Sequence, residues 1–256
     1  MMKCLSYYIV FAASSVLAVA APTVARAQHQ RIAIPAYFYP GPIWTRMDSG
    51  APTVGIAILN VDSGPGTEEQ DVFANQTART EKYGISVLGY VYTDYGNRPI
   101  AQVEADARRY FDWYHVNGIF YDEAASTSAK IYYYKQLYAY TKSLSSTSVI
   151  AINPGTQTVE AYMTVCDIEC NFEGDYDEYE NSYTAPAWIG KYSPSRFWQI
   201  VYDVPTETEM LNVVALAKKR NAGWVFVTTQ TLPNPYNTLP QDPYWSDELS
   251  AVGRAN

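Results

Sequence analysis

Eight short runs of apolar, β-branched and aromatic residues recur along this 256-residue chain and constrain its fold more than any other feature. They are Ile32–Phe38, Gly55–Asn60, Ser86–Tyr92, Gly118–Asp122, Ser148–Asn153, Ile168–Phe172, Phe197–Tyr202 and Trp224–Thr228. Four intervening stretches, Glu68–Tyr83, Ile100–Tyr114, Lys130–Ser143 and Glu207–Arg220, have the 3.6-residue period of an amphipathic helix. In the second, Val103, Ala107, Tyr110, Phe111 and Tyr114 share a face; in the fourth, Met210, Val213, Val214 and Ala217 do. The first crossover, through Pro40-Gly41-Pro42, has room only for a short helix. Strands joined by helical crossovers pair in parallel, because the chain must travel back before it starts the next strand. Eight such units in about 230 residues are the size of one (β/α)₈ TIM barrel. A doubly wound open sheet is the alternative, but no Gly-rich dinucleotide fingerprint follows the first run. No internal repeat, low-complexity linker or second domain interrupts the pattern.

The strands begin only after a segment of different character. Lys3 gives a positive start, Ile9 to Ala21 is apolar, and Ala25-Arg26-Ala27 offers small residues in an A-x-A arrangement. That is the pattern of a secretory signal peptide cut after Ala27, so residues 28–256 form the barrel domain and the mature chain is extracellular or periplasmic. The apolar run falls short of the ~20 residues that span a bilayer, and no later segment qualifies. Cleavage would remove Lys3, Arg26 and no acid, taking the net charge from −8 to −10. An acidic chain lacks the clustered Lys and Arg that phosphate binding requires, so nucleic acid is not an expected partner. Cleavage also removes Cys4. Cys166 and Cys170 stand too far apart along a regular strand for a disulfide and are read as buried small residues, a bridge requiring the strand to break between them.

In a TIM barrel, chemistry sits at the C-terminal ends of the strands. Those ends supply Tyr37, Tyr39, Asn60, Tyr92, Asp122, Glu123, Asn153, Glu173 and Tyr202, with no His, Cys or Lys among them. Carboxylates can protonate a glycosidic oxygen and attack the anomeric carbon, and aromatic faces stack on pyranose rings, so this set fits a sugar site. Asp122, Glu123 and Glu173 are the candidate catalytic residues. Tyr37, Tyr39, Trp44, Asn60, Tyr92, Asn153 and Tyr202 are the candidate substrate-binding residues. No metal or other cofactor is expected, since the loop around Asp175, Asp177 and Glu178 lacks EF-hand spacing. The eight acids between Ser143 and Gly190, where no Lys or Arg occurs, read either as a solvated face or as a negative groove beside the site.

Phe120-Tyr121-Asp122-Glu123, Asn153-Pro154-Gly155-Thr156, Asn171-Phe172-Glu173 and Asn234-Pro235-Tyr236-Asn237-Thr238-Leu239-Pro240, in this order, resemble the spherulin-4-like (spherulation-specific) glycoside hydrolases. Ile34-Pro35-Ala36-Tyr37-Phe38-Tyr39-Pro40 and Asn60-Val61-Asp62-Ser63-Gly64-Pro65-Gly66 fit as well, although the usual Asn-Pro after the second strand is here Asn60-Val61. The resemblance runs from about residue 32 to 252. It implies a (β/α)₈ barrel, endo-acting cleavage of α-1,4-linked N-acetylgalactosamine or galactosamine polysaccharide of extracellular matrix or biofilm, and acidic residues at Asp122, Glu123 and Glu173. An α-linked N-acetylgalactosamine is 1,2-cis, so its own acetamido group cannot attack from the opposite face. Retention would then need a protein nucleophile. On that basis Glu123 is expected as general acid/base, Glu173 as nucleophile, with the swapped assignment as the alternative, and Asp122 as the like charge that raises the Glu123 pKa. A non-catalytic carbohydrate-binding or wall-structural barrel is the second function class. The chain is expected to be a monomer whose partner is an amino-sugar polysaccharide.

Overall fold

A computed structural model describes residues 30–254; the signal-peptide segment, with Cys4, lies outside the described residues. In chain order the elements are β1 (Arg31–Ala36), α1 (Pro42–Asp48), β2 (Val54–Leu59), α2 (Asp71–Glu81), β3 (Ser86–Tyr92), α3 (Ile100–Tyr114), β4 (Gly118–Asp122), α4 (Ile131–Leu144), β5 (Val149–Ile152), β6 (Ile168–Asp175), α5 (Tyr176–Asn181), β7 (Phe197–Tyr202), α6 (Glu207–Lys219), β8 (Trp224–Val227) and α7 (Tyr244–Gly253). The strands pair in sequence order, all parallel, and β1 pairs with β8 to close the barrel. This is the expected TIM barrel. The β5–β6 crossover departs from strict alternation, holding only a single short 3₁₀ helix, Glu160–Thr164. Among the described residues no helix is long and apolar enough to cross a membrane.

Strand alternation divides the side chains between two cores. Inside the barrel, Phe120 packs on Trp198 with ring centroids 5.5 Å apart and on Tyr90 at 6.2 Å. Outside, strands meet helices. Gly89 on β3 lies under the Tyr110 ring of α3, and a Cβ there would come within 2.3 Å of the ring. Tyr121, one residue on from Phe120, points outward and its hydroxyl shares a 2.7 Å hydrogen bond with Thr141 of α4. Cys166 and Cys170 are buried free thiols, as their spacing implies.

β6 is longer than its apolar run and carries the feature that matters most for the site. Its register with β7 slips between Cys170 and Phe172, so β6 holds one extra residue, Asn171. Phe172 packs outward on Tyr179 at 4.8 Å and Tyr183 at 4.7 Å. Asn171 also faces outward, its Oδ1 accepting from Gln199, whose Oε1 in turn accepts from Tyr179. Two successive outward residues invert the alternation that follows. Glu169 therefore lies in the outer layer, bonded to Thr158, whereas Glu173 points into the barrel mouth. Without the bulge the two glutamates would share the outer face.

Candidate active site

The C-terminal end of β4 is where the chain turns most sharply. Alternation from Phe120 sends Asp122 inward, and Glu123 then adopts a left-handed backbone at φ 48°. Such a conformation costs a non-glycine residue of order 1 kcal/mol or more and persists only where its surroundings enforce it. Here the β3 loop does so. The Glu123 carbonyl accepts from Tyr95 N at 2.7 Å and Thr93 Oγ1 at 2.8 Å, while the Asp122 carbonyl accepts from Thr93 N at 2.9 Å. From the other side, Ala124 N donates to the Asn153 carbonyl at 2.8 Å. Ser63, Asp94, Tyr95 and Asp203 also have left-handed backbones, all at the same end of the barrel.

Asn153 is the centre of the site. Its Oδ1 accepts from Gly155 N at 2.9 Å, across a turn in which Gly155 has φ 65°. That bond fixes which end of the amide faces the mouth. The Nδ2 end donates to Asp122 Oδ1 at 2.9 Å and to Glu173 Oε2 in a short contact. Two oxygens on one nitrogen lie no further apart than two hydrogen-bond lengths, about 6 Å. Glu173 Oε1 accepts from the Tyr236 hydroxyl at 2.5 Å, so both its oxygens are held. Asp122 is hydrogen-bonded by Tyr90 as well. Burial first, and the Glu173 charge second, push the Asp122 carboxyl up to about 6. Glu123 is also raised, by burial, then by Asp122 and Asp94. Burial and the nearby carboxylates push the phenols of Tyr37, Tyr90 and Tyr236 upward, so all three remain proton-bearing donors.

Asp122, Glu123, Asn153 and Glu173 line a cavity of about 190 Å³, together with Tyr95, Pro154 and Gly155. The three candidate catalytic acids thus meet at one place. Of the candidate binding residues, Tyr37 joins them, packed edge-on between Tyr90 at 5.5 Å and Tyr236 at 5.7 Å. Tyr202 ends β7 close enough to Glu173 and Asp175 for their charges to raise its phenol, after burial. Tyr92 ends β3 beneath the Arg98 guanidinium at 4.2 Å. Tyr39 stands outside this group, 67% exposed with its ring edge on Phe73. Asn60 is used by its own turn, its Oδ1 accepting from Gly64 N at 3.2 Å.

Trp44 requires a correction. It is fully buried in α1 and its indole donates to the Phe38 carbonyl at 2.9 Å, so it is a packing residue with no face for a sugar. Four of the eight acids of the expected negative groove are taken up in other ways. Glu160 pairs with Lys191, Asp167 with Lys142, Asp175 caps α5, and Glu169 is buried in the outer layer. The residues the sequence left unassigned are Tyr90 and Tyr236. Tyr90 is two residues before Tyr92 on the same strand face, and Tyr236 lies in the Asn-Pro-Tyr segment, where Asn234 Oδ1 accepts from Tyr236 N at 3.1 Å and sets the turn. Both signals were present as position and motif, without a role attached.

Comparison with known proteins places this site in context. Spherulin-4 of Physarum polycephalum is 30% identical over 240 residues, covering 88% of this chain and 71% of that protein. Among solved structures, Aspergillus clavatus Sph3 in complex with GalNAc superposes with a TM-score of 0.76 at 21% identity, over 89% of this chain and 98% of that one. The catalytic domain of a family GH18 chitinase from the fern Peteris ryukyuensis gives 0.53 at 15% identity, over 88% and 99% of the two chains. At those identities both structural likenesses bear on the barrel fold. The family described as Spherulation-specific family 4 matches residues 31–252, which takes in every strand of the barrel and all three mouth carboxylates. On that span, and on the relative it shares it with, this protein belongs to the Spherulin-4 family.

Proposed function

We propose that this protein is a secreted endo-glycosidase that hydrolyses α-1,4-linked N-acetylgalactosamine or galactosamine polysaccharide with retention. The observation that carries this reading is the convergence of Asp122, Glu123 and Glu173 on one cavity, two of them tied to a single amide of Asn153. The GalNAc held by Sph3 supports the choice of sugar. With retention, the 1,2-cis α-sugar requires a protein nucleophile, because its own acetamido group cannot attack from the opposite face.

Glu173 is the nucleophile. Its two oxygens are fixed by Asn153 and Tyr236, so the carboxylate is oriented before substrate arrives. It attacks the anomeric carbon while Glu123, which burial and two neighbouring acids keep protonated to higher pH, gives its proton to the departing glycosidic oxygen. The C–O bond breaks and a glycosyl ester on Glu173 forms. Glu123, now a carboxylate, takes a proton from water as that water's oxygen attacks the same carbon and frees Glu173. Asp122 holds the far side of Asn153 and raises Glu123 through its charge.

Incubating the mature protein with an α-1,4-galactosaminan tests the reading. Oligosaccharides should be released, first as α-anomers by NMR, and Glu173→Gln should release none. Binding without cleavage at any pH would leave a non-catalytic carbohydrate-binding barrel instead.

A further inference from the structure

Glu123 walls a second cavity on its β3 side. This one is larger, about 520 Å³, and its other walls include Ser63, Tyr92, Asp94, Asn97 and Arg98. We propose that it holds a second pyranose unit of the chain being cut, so that Glu123 stands between two occupied sugar sites. The proposal rests on the glycosidase reading above and assigns where its substrate runs.

The wall is rigid. The Arg98 guanidinium lies 4.2 Å from the Tyr92 ring centroid, donates to the Tyr92 carbonyl at 3.1 Å and is ion-paired with Asp106. Lys130 Nζ donates to the Gly96 carbonyl at 2.9 Å and to Asn97 Oδ1 at 2.8 Å, pinning the loop that carries Asp94 and Asn97. That bond orients Asn97: its oxygen is occupied by Lys130, and its Nδ2 keeps both donors with no protein acceptor. Among the described residues, the Ser63 hydroxyl and Asp94 carboxylate are likewise hydrogen-bonded to no protein group, and both residues have left-handed backbones, at φ 49° and 48°. A fixed wall with a free amide donor, a hydroxyl and a carboxylate matches the hydroxyl and amino groups around a hexosamine ring. Glu123 lines both this cavity and the Asn153–Glu173 cavity, so the two meet at its carboxyl group. A proton donor shared by two cavities can reach the oxygen that joins their occupants.

The test uses Asn97, an exposed residue of the far wall, in two forms. Asn97→Ala removes the amide donors, and Asn97→Trp fills the cavity. On an α-1,4-galactosaminan and on a short aryl α-glycoside, the ratio of kcat/KM for polymer to that for aryl glycoside should fall by about tenfold in Asn97→Ala, one hydrogen bond's worth, and further in Asn97→Trp. The same two changes in a Glu173→Gln background should weaken calorimetric binding of an N-acetylgalactosamine hexamer at least tenfold more than binding of the monosaccharide. Failure of the wild type to hydrolyse any galactosaminan removes the glycosidase reading, and the binding arm still reads the site. Equal effects on hexamer and monosaccharide, or none from either variant, overturn the second site.

Discussion

Two sets of acids lie on opposite faces of the barrel wall. Asp122 and Glu173 face the barrel mouth; Glu169 and Glu248 are sealed in the layer between barrel and helices. Burial pushes Asp122 up to about 6, Glu169 to about 7 and Glu248 to about 8. The residues furthest from the mouth are thus the most perturbed, and a raised pKa does not mark the site. What separates the sets is how they are held. Asp122 and Glu173 share Asn153 and draw further donors from Tyr90 and Tyr236. Among the described residues, Glu169 has only Thr158, Glu248 only the Val227 amide, and each keeps one oxygen with no protein partner. Convergent donors orient a carboxylate for a ligand; a single donor merely keeps one tolerable inside a wall.

The strongest way to break this contrast is to neutralise one acid of each set. Glu173→Gln should lower kcat on galactosaminan by on the order of 10⁴-fold while the melting temperature stays near the parent's. Replacing the shared donor comes next. Asn153→Ala leaves two adjacent carboxylates with no bridge and should cost about 10²–10³ in kcat. It should also move the acid limb of the pH–rate profile upward, because removing a donor to the charged forms lets the pair hold its proton longer. A profile that stays in place would mean Asn153 only packs.

The sequence made the barrel legible but only part of the mouth. β3, β4 and β7 coincide with their apolar runs, and the alternation Phe120-Tyr121-Asp122 was enough to aim Asp122 inward. Glu173 was found for an incomplete reason. It looks like the residue after a strand, yet it lies within one, and only the bulge at Asn171 turns it from the outer layer to the mouth. Nothing in Cys-Asn-Phe-Glu announces an unpaired residue. Trp44 was misplaced because α1 is seven residues long, too short for a period to show which side is buried. The acidic stretch was only partly legible for a different reason. Its basic partners, Lys142 and Lys191, sit just outside each end of it in sequence and fold back onto Asp167 and Glu160.

A change in the outer layer should sharpen the contrast through stability instead of rate. The folded-state value of Glu248, about 8, lies above its ordinary 4.5, so the folded chain holds this proton more tightly than the unfolded one. Its stabilising contribution is therefore complete below pH 4.5 and is lost as pH rises to 8, at up to about 1.4 kcal/mol per pH unit. Glu248→Gln, which mimics the neutral form, should flatten that decline. Melting curves from pH 5 to pH 8 should converge at the acid end and separate at the alkaline end, with the variant higher. Parallel curves would show that Glu248 is not neutral in the fold.

The finest comparison removes one hydroxyl donor from each set. Tyr236→Phe takes one from Glu173 and Thr158→Val takes one from Glu169, at 2.5 and 2.8 Å respectively. A hydrogen bond to a charged group is worth about 1.5–3 kcal/mol, so Tyr236→Phe should lower kcat by about ten- to a hundredfold. Tyr236 also packs on Tyr37 and Phe226, and Phe preserves both ring contacts, which confines the effect to the carboxylate. Thr158→Val should leave turnover alone and lower stability by about 1 kcal/mol, more above pH 7 than below. The pH dependence follows from Glu169: above its folded-state value, about 7, the lost bond is to a carboxylate, and below it to a neutral acid. If Thr158→Val instead slowed turnover as much as Tyr236→Phe, the two acid sets would be one coupled network across β6, and orientation by convergent donors would no longer distinguish the mouth from the wall.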